Sequence, residues 1–335
     1  MMADQNLRNL AIDRRRCLGQ LLVGSAMTTV GCVPKTPAGW VDLVWGRRGL
    51  SDGRFLKPRA ATVDSQDQLY IVDTTGRIQV FDVDGNHLRT WSTPQTENGR
   101  PTGLAFRSTT TIDRGAATAS DVLLVADTHY YRVLCFDPKG QLMADQQIGG
   151  QAGTGPGEFA FVTDAVTDDE GCLYVGEYGD SDRIQKFSPE GEFICQWGGT
   201  GREPGRFVRP QSLVVDGRTL WIVDACNHRI AAYDLDESTP KLMSVFVEEG
   251  DRPGQFYYPY DLVIDQDGTL VICEYGNQRL QRVARDGSPL NQWGGPGHDV
   301  GQLYQPWALV MDSTRRVHVI DSNNHRVQRL AVGAV

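Results

Sequence analysis

The sequence predicts an all-β protein in which six copies of a four-stranded unit close into a ring, and three observations lead there. The 335 residues include 37 glycines and 40% hydrophobic residues without long apolar runs, a composition suited to short strands and many turns. A Gly-x-Phe or Gly-x-Leu triplet starts equivalent segments at Gly53, Gly157, Gly205, Gly254 and Gly301, at spacings of 104, 48, 49 and 47 residues. The first spacing holds two periods, and its middle start is the degenerate stretch Asn98 to Phe106. Within a period no 3.6-residue apolar pattern appears, which excludes a helical repeat.

Each copy opens with a Pro-x-x step into an apolar strand, as in Pro210 to Asp216. A second strand ends in an acid, as in Leu220 to Asp224, and after a polar turn a third starts at an arginine, as in Arg229 to Tyr233. The fourth ends in Trp-Gly or an equivalent: Trp45-Gly46, Trp91, Ile148-Gly149, Trp197-Gly198, Phe246 and Trp293-Gly294. Four strands in about 48 residues make one blade of a β-propeller, and six blades are expected. The last copy stops after its third strand, so Trp40 to Trp45 is expected to supply the missing outer strand. Placing both ends of the chain in one blade removes an open sheet edge. In blade 2 the polar, Thr/Ala-rich stretch Arg107 to Asp121 lengthens the first connection and reads as a flexible loop.

The stretches VDACNHRI, CEYGNQRLQRV and IDSNNHRVQRL, the last spanning Ile320 to Leu330, resemble NHL repeats, and every copy over about 290 residues shares the pattern. The chain looks closest to secreted or lipid-anchored NHL proteins of bacteria. The resemblance implies a six-bladed propeller that binds protein, peptide or RNA. It also brings in a minority of zinc enzymes, the peptide-amidating lyases.

The acid and arginine of the turn recur in every copy. The pairs are Asp73 with Arg77, Asp127 with Arg132, Glu177 with Arg183, Asp224 with Arg229, Glu274 with Arg279, and Asp321 with Arg326. A catalytic residue is needed once, whereas a structural latch is needed in every blade. The pairs are therefore read as ion-paired turn caps, modest in energy where exposed. His228 and His325 recur at this turn on blades 4 and 6. A zinc ion needs three or four converging ligands, so neither they nor Cys226 are read as a metal site.

Residues that break the repeat are the better functional candidates. The inner strands start at the channel mouth, where the position after the proline holds Arg59, Thr102, Thr163, Gln211, Tyr260 and Trp307. The next position holds Ala60, Gly103, Asp164, Ser212, Asp261 and Ala308, so two carboxylates stand among small residues. Blade 2 adds His129, Tyr130 and Tyr131 on its turn, and blades 3 and 5 share Glu-Tyr-Gly at Glu177-Tyr178-Gly179 and Glu274-Tyr275-Gly276. Polar groups among aromatic walls suit a site for a protein, peptide or small polar ligand. The bland reading is that Asp164 and Asp261 cap backbone amides and the tyrosines fill gaps between blades. Under the binding reading no cofactor is expected. The alternative is a metal-dependent, lactonase-like or lyase-like enzyme in which Asp164 and Asp261 share one divalent cation. The first-strand starts hold no histidine trio, and no Gly-x-Ser-x-Gly elbow or P-loop occurs.

The formal charge of −9 argues against nucleic-acid binding, which leaves a basic footprint. Residues 1–32 are expected to be an export signal: Arg14, Arg15 and Arg16 precede a short, mildly apolar stretch, as in a twin-arginine leader. Thr29-Val30-Gly31-Cys32 resembles a lipobox, with lipidation expected at Cys32. Residues 33–39 then form a linker and 40–335 the propeller, an exported monomer held to a membrane only by that lipid. The cysteines after Cys32 number five and include no Cys-x-x-Cys pair, so free thiols are expected rather than a disulfide framework.

Overall fold

The computed structural model describes residues 40–113, 116–236, 238–331 and 333–335, all within a compact unit spanning Thr36–Val335. The export signal, the lipidation site at Cys32 and the linker lie outside the described residues.

Six four-stranded antiparallel sheets follow one another around a ring. Blade 1 runs through Pro58–Val63, Leu69–Asp73, Arg77–Phe81 and His87–Ser92. Blade 2 uses Gly103–Asp113, Ala116–Asp127, Arg132–Phe136 and the short Ile148–Gly149. Blade 3 holds Phe161–Thr167, Leu173–Tyr178, Arg183–Phe187 and Phe193–Gly198. Blade 4 holds Pro210–Asp216, Thr219–Asp224, Arg229–Asp234 and Lys241–Val247, and blade 5 Pro259–Ile264, Leu270–Glu274, Arg279–Val283 and Pro289–Gly294. In blade 6, Ala308–Met311, Val317–Asp321 and Arg326–Leu330 come from the end of the chain and Val41–Trp45 from its start. The first strand of each blade touches those of both neighbours, so the ring is closed as the repeat count requires.

The alternation of strand residues places the core between the blades. Each sheet buries both faces, and six apolar clusters result, one at every blade junction. Phe55, Phe159, Phe207, Phe256 and Leu303 of the starting triplets are almost fully buried there, each joined by a short parallel bridge to the loop before it. The Trp-Gly glycine is required by this packing. Gly46 has φ +83°, and a Cβ on it would sit 2.6 Å from the Phe55 ring, a double penalty for any side chain.

One expectation is corrected. In blade 2, residues 107–113 and 116–121 are not a loose loop but a continuation of its first two strands, paired from Gly103↔Ala126 out to Asp113↔Ala116. The β-branched threonines in that stretch favour a ribbon over a coil. The five described cysteines, Cys135, Cys172, Cys195, Cys226 and Cys273, are free thiols. Among the described residues no helix is long and apolar enough to cross a membrane.

Candidate functional site

The latch residues do stand in pairs, at 2.5–2.8 Å in all six blades. Their acids are at most 1% exposed, so the modest energetics of an exposed pair do not apply. Burial raises the pKa of Asp127, Glu177, Asp224, Glu274 and Asp321, against the pull of the arginines and amides. In four blades the second oxygen accepts a backbone amide of the starting segment, from Ala160, Val208, Tyr257 or Tyr304, whereas in blade 1 Asp73 Oδ2 accepts both Arg77 and the Leu56 amide. Blade 2 has the degenerate start, and Asp127 Oδ1 has no partner there among the described residues. The latch thus ties each turn to the Gly-x-Phe segment.

The two turn histidines are ties between blades. His228 Nδ1 accepts the Tyr258 amide and His325 Nδ1 the Lys57 amide, both at 2.9 Å. Each histidine occupies the left-handed position that ends the turn. Among the described residues no cluster of three histidine, cysteine or acidic groups could hold a metal ion.

Inside the ring, the inner strands line a channel of about 630 Å³. Arg59, Gln211, Tyr260 and Trp307 converge at its mouth. Tyr260 stacks on Tyr275 at 4.5 Å and meets Trp307 edge-on at 4.9 Å. The Arg59 guanidinium lies 5.0 Å from the Trp307 ring centre. Arg209 lies 4.8 Å from Tyr178 and 5.6 Å from Tyr260, and Gln211 Oε1 accepts its Nε at 2.9 Å. His129 joins the rim with its ring 5.2 Å from Phe161. Burial, and then the charges of Arg59, Arg100 and Arg209, lower its pKa.

Arg209 and Arg100 escaped the sequence reading because they stand one residue before the proline, not after it. The left-handed turn at Arg209, φ 62°, swings its side chain toward the mouth, while Asp182 Oδ1 accepts its amide at 2.8 Å.

Other predicted residues are turned to structural work. Thr102 Oγ1 lies 2.8 Å from Thr128 Oγ1 and 3.0 Å from the Thr163 carbonyl, and Thr163 donates to the Pro210 carbonyl at 2.5 Å. Tyr130 lies outside the channel wall: it donates to Glu97, accepts the Asn98 amide, and packs against Arg132.

Asp164 and Asp261 do line the channel, but their oxygens are engaged. Asp164 accepts the amides of Ala165 and, in the next blade, Leu213, both at 2.9 Å. Asp261 accepts Leu262 at 2.9 Å, Leu309 of the next blade at 2.8 Å, and the Ser212 hydroxyl at 2.7 Å. Each ties one inner strand to the next. A Cβ on Gly103 would lie 2.6 Å from Asp164 Oδ1, which explains the glycine opposite it. A carboxylate holding two amides has few lone pairs left for a cation, so this pair fits a divalent ion poorly.

The ties bring a pH dependence. Burial pushes Asp164 up to about 7, aided by Asp261 and opposed by the Leu213 amide, and burial pushes Asp261 up to about 6. Because the folded pKa is raised, the folded chain binds more protons than the unfolded one, and stability falls as pH rises. Between pH 5 and 8 the pair is expected to forfeit roughly 4 kcal/mol. Burial lowers the pKa of His129, His228, His318 and His325, which pulls the other way. The wild type should therefore be compared with an Asp164→Asn/Asp261→Asn variant by urea unfolding at both pH values. The gap between them should change by that amount, whereas a pH-independent gap would show that the pair is ionised throughout.

Comparisons with known proteins agree with this architecture. Residues 303–330 match the NHL repeat, and 212–301 match the SMP-30/Gluconolactonase/LRE-like region. NHL repeat-containing protein 3 of Mus musculus is 29% identical over 58% of this chain and 57% of its own length. The Homo sapiens protein is 28% identical over 66% and 63%, so the chain spans less than two thirds of these relatives. The peptidyl-glycine alpha-amidating monooxygenase of Mus musculus is 32% identical over 33% of this chain and 12% of its own. Among solved structures, an auxiliary nutrient binding protein from Bacteroides ovatus ATCC 8483 superposes with a TM-score of 0.60 at 14% identity, covering 86% of this chain and 72% of that one. The repeated segments, the six closed blades and these matches together make the chain a six-bladed β-propeller with an NHL repeat at residues 303–330.

Proposed function

We propose that the chain is an extracytoplasmic binding module that takes a protein, peptide or small polar ligand at the channel mouth. The observation that carries this reading is the mouth itself. Tyr260, Tyr275 and Trp307 form a fixed aromatic wall, flanked by guanidinium groups that make no ion pair among the described residues. Aromatic walls with a few oriented polar groups are the usual makings of a ligand site. The Bacteroides ovatus neighbour, an auxiliary nutrient binding protein, is in keeping with it. Exposure outside the cytoplasm rests on the twin-arginine-like segment and Cys32.

The test compares wild type with Trp307→Ala, retaining ligands from an extract of the native cells, fractionated so that cytoplasmic and exported pools are read separately. Trp307 is partly exposed, so the variant should keep its melting temperature within a few degrees and lose retention. Equal retention by both proteins would sink the reading. The match over 212–301, which includes Asp261, favours the lactonase-like alternative. A stoichiometric divalent ion in the purified chain, lost with Asp164→Asn and Asp261→Asn, would put that alternative first.

A further inference from the structure

Resting on that binding reading, we infer that the mouth is built for an oxyanion, a carboxylate or phosphate carried on a flat apolar body. The anionic group lies between Arg59 and Arg209, and the body rests on Tyr260 and Trp307. The first argument is charge. The chain is acidic, at −9, and its latch arginines each hold a buried carboxylate. Arg59 and Arg209 do not, although both are half-buried. Among the described residues no hydrogen bond reaches the Arg59 guanidinium, and Arg209 has one, from its Nε to Gln211. The terminal nitrogens of both are therefore available as donors.

The second argument is the neighbourhood. The like charges acting on Arg59 are Arg209 and Arg100, and the leading influences on Arg209 are its burial and the hydroxyls of Tyr260 and Tyr178. Burial, followed by Arg209, lowers the Arg59 pKa. Like charges gathered in a partly desolvated mouth are unfavourable until an anion arrives, and a guanidinium offers the planar fork that carboxylate and phosphate accept. The third argument is shape. Each guanidinium already lies against a ring, Arg59 on Trp307 and Arg209 on Tyr178 and Tyr260, so little side-chain freedom is lost on binding. Gln211 fixes Arg209 further. One residue further along their strands Asp164 and Asp261 line the channel with their oxygens held by backbone amides, so the donors for an anion lie at the rim.

The test is calorimetric titration of the full chain with benzoate, phenyl phosphate and neutral benzamide. Benzoate or phenyl phosphate should bind at least tenfold more tightly than benzamide, and the stronger of the two names the source of the oxyanion. Arg59→Gln and Arg209→Gln should each weaken that anion by about 10–100-fold, the scale of a hydrogen bond to a charged group. Benzamide binding should be unchanged. Two variants are used because Arg209 also packs on two tyrosines, and circular dichroism checks the fold of each. Anions that bind no better than benzamide, or that ignore both substitutions, overturn the oxyanion inference. If benzamide then still binds and Trp307→Ala abolishes it, the aromatic mouth survives without the anion.

Discussion

Arg183→Met is expected to destabilise the protein by about 3–5 kcal/mol, the range for breaking a buried ion pair from one side. Glu177 is fully buried, and its carboxylate accepts the Ala160 amide, Gln185 Nε2 and Arg183 Nε. Arg183 in turn donates to the carbonyls of Thr154 at 2.6 Å, Gly155 at 3.1 Å and Glu158 at 2.9 Å, and to Gln196 Oε1. One side chain therefore holds the whole starting segment of blade 3. Methionine of similar volume keeps the packing of the stem and removes every donor, leaving those carbonyls and a carboxylate in an apolar interior.

The response to pH separates this from a packing defect. Burial already raises Glu177. Without Arg183 its folded pKa rises further, so the variant's deficit grows as pH increases through neutrality. Adding Glu177→Gln should recover part of the loss, because the uncompensated charge goes with it. Arg132→Met in blade 2 should cost less, since among the described residues Arg132 donates only to Asp127 and Gln95 and leaves no backbone carbonyl behind. Urea midpoints at pH 6 and 8 measure all of this. A cost for Arg183→Met below about 1 kcal/mol, the value for an exposed pair, would show that the latch is ornamental.

That latch also marks how far the sequence could be read. Six acid–arginine pairs at a constant turn position are visible in the chain because the blade repeats, and the repeat also gave the strand order and the closing strand. What escaped was the second layer. Arg77-Ile78-Gln79, Arg183-Ile184-Gln185, Arg279-Leu280-Gln281 and Arg326-Val327-Gln328 share a glutamine that is fully buried. Each accepts the amide of the triplet glycine and donates to the next carbonyl. The signal was there, at two residues after each arginine, but a polar residue inside a strand reads as solvent-facing unless its partner is known. The mouth was harder. Period-2 alternation says which inner-strand residues face the channel, but not that a left-handed turn brings in Arg209 from outside the strand. Nor can it show that Asp164 reaches the Leu213 amide, 49 residues away, because that contact crosses between blades.

Ring closure carries the second large effect. Deleting residues 1–45 is expected to lower the melting temperature by more than 10 °C and to produce soluble aggregates, whereas deleting 1–39 serves as the control. Val41–Trp45 forms the outer strand of blade 6, with Val44↔Gln328 and Trp45↔Val327 in register against Arg326–Leu330. Trp45 is 9% exposed and packs on Phe81 at 4.5 Å and Phe55 at 5.7 Å, so it joins blade 6 to blade 1. Burial of one such ring contributes on the order of 3 kcal/mol, and Leu43 adds to the same cluster. Asp42 also holds Arg329 at 2.8 Å, which reaches on to the Val83 carbonyl in blade 1. Against a total stability of about 5–15 kcal/mol for a typical domain, losing this strand is severe. The aggregation follows from geometry rather than energy: Arg326–Leu330 becomes an edge whose unpaired amides and carbonyls invite another chain. Trp45→Ala separates the two contributions, since it keeps the edge covered while removing the ring. It should cost about 3–5 kcal/mol and leave the particle size by light scattering equal to that of the control. If the 1–45 deletion melts within a degree or two of the control, the blade faces alone close the ring and the outer strand is a cover, not a clasp.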